Sequence, residues 1–150
     1  MFDRILSLFQ PEVHVTKLPE ADVQHAMGAL LVRAAKIDKA YLFEEIEQID
    51  DVLAHRYNLN PVQAAKLRAE CEKLEAAMPD TAALSTILHD AISLAEREAT
   101  VAALWAVVFA DGVEAEAEDA LLHQVEEFLG VSQEVSKRLH DEAMVKKRRV

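Results

Sequence analysis

Residues 29–53, ALLVRAAKIDKAYLFEEIEQIDDVL, and residues 102–126, AALWAVVFADGVEAEAEDALLHQVE, carry one pattern twice. In each, apolar residues recur at three- and four-residue spacing on both sides of a short acidic stretch, which reads as helix, tight turn, helix. Superposing Asp38 on Asp111 also superposes Glu45 on Glu118, an offset of 73 residues for both pairs. A repeated hairpin of this kind predicts two halves packed about a pseudo-two-fold axis.

The same helical period runs through nearly all of the chain, alanine is abundant and β-branched alternation is scarce, so the expected fold class is all-α. Asn60-Pro61 reads as an N-cap followed by a first helical residue, Pro79-Asp80 as a break and a new cap, and Gly112 and Gly130 as terminators. About seven to eight helices follow, near 2–9, 20–38, 42–57, 61–78, 81–96, 98–111, 115–129 and 132–147. With short connections, 150 residues and 51% hydrophobic residues, these make one compact bundle. Its parts are a short N-terminal helix and linker over 1–19, the helical domain over 20–145 and a basic tail over 146–150.

Composition removes several functions. Sixteen basic against 27 acidic residues leave a net charge of −11, which repels nucleic acid and anionic lipid. Three glycines, Gly28, Gly112 and Gly130, cannot form a dinucleotide-binding turn or a P-loop. Cys71 alone permits no internal disulfide and no multi-cysteine zinc site, and points to a reducing, cytoplasmic compartment. The uncharged run 99–110 lies between Glu98 and Asp111 and is too short to span a bilayer. The apolar stripe Phe2, Ile5, Leu6, Phe9 is read as packing on the domain, because the segment lacks the basic face of an interfacial helix. No stable membrane insertion and no nucleic-acid partner are expected; a protein partner is left unidentified and the oligomeric state open.

Four acids stand where apolar residues belong. Asp111 follows Leu104 by seven positions and Val107 by four, and so shares their inward face. Glu118 precedes Leu121 by three and Val125 by seven, on the stripe Leu121, Leu122, Val125, Phe128, Leu129. In the first unit Asp38 extends the Leu31, Ala34 face, and Glu45 lies on the stripe Leu42, Ile46, Ile49, Val52, Leu53. Glu114, Glu116, Glu126 and Glu127 read as solvated charges.

An inward carboxylate must be hydrogen-bonded, paired or metal-bound. Three readings stay open: acids accepting backbone N–H bonds that staple each hairpin; oxygen ligands to Ca²⁺, Mg²⁺ or Mn²⁺ from Asp38, Glu45, Asp111 and Glu118; and proton transfer between coupled acids. The turn is no EF-hand, since Val113 and Ala115 stand at two ligand positions of a loop beginning at Asp111. None of the six histidines follows a glutamate by three residues, which excludes the di-iron bundle pattern. Asp51/His55 and Asp119/His123 read as surface pairs one turn apart, Trp105 as core, and Cys71 as a small buried hydrophobe on the stripe Leu67, Cys71, Leu74, Met78. No nucleophile elbow or Cys–His arrangement is legible, so no enzymatic activity is expected. Lys146, Lys147, Arg148 and Arg149 close the chain as a frayed helix end or a strap on the acidic surface.

The paired turns, with LWAVVFADGVEAEAEDALLHQVEEFLGVS over 104–132, resemble the tellurite resistance protein B-like (TerB-like) family, in particular its uncharacterised bacterial branch. The resemblance covers about residues 25–145 and implies an all-helical domain of two pseudo-repeated halves, an acidic cation site, and an association with stress or metal-oxyanion response. The family's acids carry over onto Asp111 and Glu118, and onto Asp38 and Glu45 with one departure: Lys39 stands where the first half usually has glycine. A lysine there supplies an internal cation, so the first half is expected to be the weaker metal site. One buried thiol cannot sustain reduction of an oxyanion. The expected function is a non-enzymatic TerB-like domain whose inward acids organise the scaffold and take up a divalent cation. The alternative is a protein-interaction module whose acids only hold turns.

Overall fold

The structure, a computed structural model, describes residues 22–37, 41–110 and 116–149, with side chains through residue 146. These residues form seven α-helices and no strand, in agreement with the all-α reading. They are α1 (Val23–Lys36), α2 (Phe43–Tyr57), α3 (Pro61–Ala77), α4 (Thr81–Ala91), α5 (Leu94–Val108), α6 (Glu116–Phe128) and α7 (Gln133–Arg149). The expected helix over 2–9 lies outside the described residues.

Local chemistry accounts for the boundaries. Asp22 caps α1 by accepting from the His25 N–H at 2.9 Å. Before α3 a reciprocal capping box forms: Gln63 N–H donates to Asn60 Oδ1 at 2.8 Å and Asn60 N–H to Gln63 Oε1 at 3.0 Å, with Pro61 in the first turn. Asp80 caps α4 through the Ala82 N–H at 3.0 Å. The expected helix over 81–96 divides: α4 ends at Ala91, and Ser93 starts α5 by accepting from the Glu96 N–H at 3.2 Å. The basic run from Lys146 to Arg149 continues the helical backbone of α7.

The repeat extends beyond the hairpins to a third helix. After α2, Asn58 adopts a left-handed φ of 54° and Leu59 N–H reaches back to Ala54 O at 2.9 Å. After α6, Gly130 adopts φ 68° and Val131 N–H reaches Glu126 O at 2.9 Å. Each turn then supplies a cap, Asn60 to the Gln63 N–H and Ser132 to the Val135 N–H. Thus α1–α2–α3 and α5–α6–α7 are the same unit, with α4 between them.

Packing follows that symmetry. α1 and α5 cross at the centre; α2 packs on α1 and reaches α5, while α6 packs on α5 and reaches α1. α1 is buried over residues 26–35, apolar there except for Arg33, and it carries the core with Leu30, Leu31, Leu53, Leu84, Leu88, Leu104 and Leu122, all at 0% exposure. Trp105 and Cys71 are buried as expected. Among the described residues no helix is long and apolar enough to cross a membrane.

A candidate acidic site and a flanking groove

Glu45 and Glu118 are each the third residue of their helix, α2 and α6, at 0% and 1% exposure. The inward orientation expected of both is therefore found, on helices that enter the core from matched positions. A helix start is where a buried carboxylate is least costly, because its unpaired N–H groups and the positive end of the dipole point at it. For Glu45 the arrangement is explicit: Leu42 N–H donates to Oε1 at 2.9 Å. This is half of a capping box, since leucine has no acceptor to return. Leu42 itself is 37% exposed and precedes the helix, so it leaves the apolar stripe expected of it.

Asp38 and Asp111 lie outside the described residues, as do Lys39, Gly112 and Glu114. Among the described residues no three His, Cys, Asp or Glu side chains converge on a metal-sized site. α2 and α6 pack on the central pair, not extensively on each other.

Replacing either glutamate by leucine preserves volume and removes an acceptor from donors already withdrawn from water. Glu45→Leu and Glu118→Leu are each expected to lose about 1–3 kcal/mol of unfolding free energy in urea titrations. Glu45→Gln, which retains an acceptor for the Leu42 N–H, should lose less. Neutral leucine variants would show that the carboxylates hold nothing.

A second feature lies between α2, α5 and α7, a groove of about 400 Å³. Its floor is Ala102, Ala106, Phe109, Ala110, Leu139 and Ala143, and its rim the exposed acids Glu44, Glu47, Asp51 and Glu142, with Lys146 at one end. Small residues on the floor let another backbone approach closely, while the rim is almost wholly of one sign.

The sequence resemblance implied an all-helical domain of two pseudo-repeated halves, and the seven helices agree with it. The family model described as tellurite resistance protein TerB matches residues 24–141. The chain belongs to the TerB family. No curated relative and no solved structure matches it.

Within this TerB domain three further sequence expectations change. Glu126, read as solvated, is 3% exposed; Phe128, read as core, is 38% exposed. The inward face of α6 thus turns toward Leu122 and Glu126, four residues apart, and away from Phe128. His123 hydrogen-bonds Glu126 Oε1 at 3.1 Å, where a surface pair with Asp119 was expected. Cys71 lies beneath α1, and burial, with a smaller push from nearby Glu70, Asp22 and Glu72, raises its thiol to about 12. It carries no thiolate at neutral pH.

Proposed function

We propose that this TerB-family chain is a non-enzymatic cytoplasmic domain that serves tellurite resistance or a related stress response by holding a partner protein in the groove of α2, α5 and α7. The acid-rimmed, alanine-floored groove carries the reading. Its chemistry selects the apolar face of a helix flanked by lysine or arginine, and a net charge of −11 steers such a segment toward it. Glu45 serves as the staple that holds the start of α2, and with it one wall, in place.

A fluorescent amphipathic peptide with an alanine–leucine face and lysine flanks provides the test. It is expected to bind with strong salt dependence, and the triple variant Glu44→Lys, Glu47→Lys, Asp51→Lys should weaken it by at least about tenfold, near 1.4 kcal/mol. Equal affinity for both proteins, or equal binding of a glutamate-flanked peptide, removes this reading.

Burial of Glu45 and Glu118 at matched helix positions favours a second reading, uptake of Ca²⁺, Mg²⁺ or Mn²⁺ by Asp38, Glu45, Asp111 and Glu118. A cation bound selectively by the folded state raises the thermal midpoint relative to chelator. The rise should shrink in Glu118→Gln. Unchanged midpoints in wild type with all three ions exclude the cation, and substrate turnover dependent on Glu118 would overturn the non-enzymatic assignment.

A further inference from the structure

The two halves differ at one interhelical space. In the first, α2 and α3 pack together and Arg68 of α3 fills the seam, its Nε donating to Asp50 Oδ1 of α2 at 2.6 Å and Nη1 to Glu72 at 3.1 Å. In the second, the matched helices α6 and α7 are not closely packed, and a cleft of about 460 Å³ opens between them. The repeat places His123 where the first half has Asp50, and His140 where it has Arg68. The guanidinium that closes the first seam has no counterpart in the second.

The cleft retains an acceptor for one. Glu126 stands at the position of Leu53, which is wholly buried, and is itself 3% exposed. His123 Nδ1 holds Oε1, while the buried Oε2 has no hydrogen-bond partner among the described residues. A buried carboxylate oxygen without a donor is unfavourable, and the folded protein gains by admitting one. Several other polar groups of the cleft are engaged: Lys137 Nζ with Asp141 at 3.1 Å, His140 Nδ1 with Asp141 at 2.9 Å, and the Trp105 indole N–H with Ser136 Oγ at 3.3 Å. Trp105 and His140, with ring centroids 4.7 Å apart, supply an aromatic wall.

We infer that the α6–α7 cleft binds an organic cation bearing N–H donors, a guanidinium or primary ammonium, with Glu126 Oε2 as its anchoring acceptor. A buried carboxylate beside an aromatic wall, with Asp119 and Asp141 also lining the cleft, suits such a group, whereas the described residues bring no three metal-ligating side chains together. The same chemistry is carried by a free amine or by a basic side chain of a peptide. The site is separate from the groove of α2, α5 and α7, on another face of α7.

Trp105 is the sole tryptophan, so its fluorescence reports the cleft. Ethylguanidinium, n-butylammonium and the Nα-acetyl amides of arginine and lysine are titrated into the full chain at constant ionic strength, with tetramethylammonium as a cation lacking N–H donors. Saturable changes are expected with the N–H donors and not with tetramethylammonium. Tighter binding of the free ions assigns the site to a small amine, and tighter binding of the amino-acid amides to a peptide side chain. Glu126→Gln should weaken binding at least tenfold. Glu126→Leu, which installs the residue of the first half, should abolish binding and raise the thermal midpoint. Absence of saturation in wild type, an equal response to tetramethylammonium, undiminished binding by Glu126→Gln, or a lowered midpoint in Glu126→Leu overturns the inference.

Discussion

Arg33→Met is expected to lower the unfolding free energy by about 3–5 kcal/mol at neutral pH, the range for removing one partner of a buried charge network. Arg33 lies on α1 at 7% exposure and spends its whole donor fork on the junction between α3 and α4. Nε donates to Glu75 Oε2 at 3.1 Å, Nη1 to Thr81 Oγ1 at 3.2 Å, and Nη2 to the carbonyl of Glu75 at 2.9 Å and to that of Met78. Two carbonyls at the end of α3 thereby gain a donor, and the first residue of α4 is tied to the central helix. Methionine fills part of the volume but leaves those acceptors without their donor and the Glu75 carboxylate with Lys36 alone. Arg33→Lys keeps the charge without the planar fork and should fall between the two.

The loss should also depend on pH. Burial tends to raise the Glu75 carboxyl above its ordinary 4.5, but hydrogen bonds from Lys36 and Arg33 outweigh it and hold the group lower. A carboxyl depressed in the folded state contributes stability that is complete above its unfolded value and disappears as pH falls through the folded one. The difference between wild type and Arg33→Met should therefore narrow as pH drops below about 4.5. A deficit under 1 kcal/mol at neutral pH, or one that grows on acidification, contradicts the network as drawn.

Neither Arg33 nor Glu126 was legible as buried, for one physical reason. A charged side chain defaults to solvent when a helix is read alone, and only the neighbours that surround the helix can reverse it. The available signal for Arg33 was its place inside an otherwise apolar run, 29–35, too uniformly hydrophobic to offer a wet face. For Glu126 it was spacing, four after Leu122 and eight after Glu118, on the very stripe that identified Glu118. Glu45 and Glu118 were legible because the repeat displayed the same anomaly twice.

Boundaries followed the same division between local and tertiary causes. Asn60-Pro61, Pro79-Asp80 and Gly130 act through their own backbone and were read directly. Between α4 and α5 the apolar spacing runs on unbroken, which concealed the break; Ser93 with Glu96 three residues later is the capping signature at that point. The third helix of the repeat was hidden because equivalent jobs are done by different residues, Asn58 and Gly130 in the left-handed turn, Asn60 and Ser132 at the cap. The groove and the cleft depend on which helices part from one another, and helical period carries no such information.

Gly28→Ala should destabilise the protein although alanine is the better helix former by about 0.5–1 kcal/mol. Gly28 sits inside α1 where α3 crosses it. A Cβ placed there would overlap Cys71 Sγ and stand 3.0 Å from Cys71 Cβ and 3.7 Å from Leu53 Cδ2. Cys71 and Leu53 are both fully buried, so neither can swing into solvent to make room. The expected net loss is about 1–3 kcal/mol, from overpacking that exceeds the propensity gain. Cys71→Ala removes the overlapping sulfur, and the double variant Gly28→Ala, Cys71→Ala should recover much of the loss, with a coupling energy of about 0.5–3 kcal/mol in a urea-denaturation cycle. At the matched position of the second half stands Val101, buried without such a clash, so the glycine answers to the sulfur opposite it and not to the repeat. Additive single and double variants would show that α1 and α3 can part at this crossing, and a stabilised Gly28→Ala would show that they do not meet as closely as 3.0 Å.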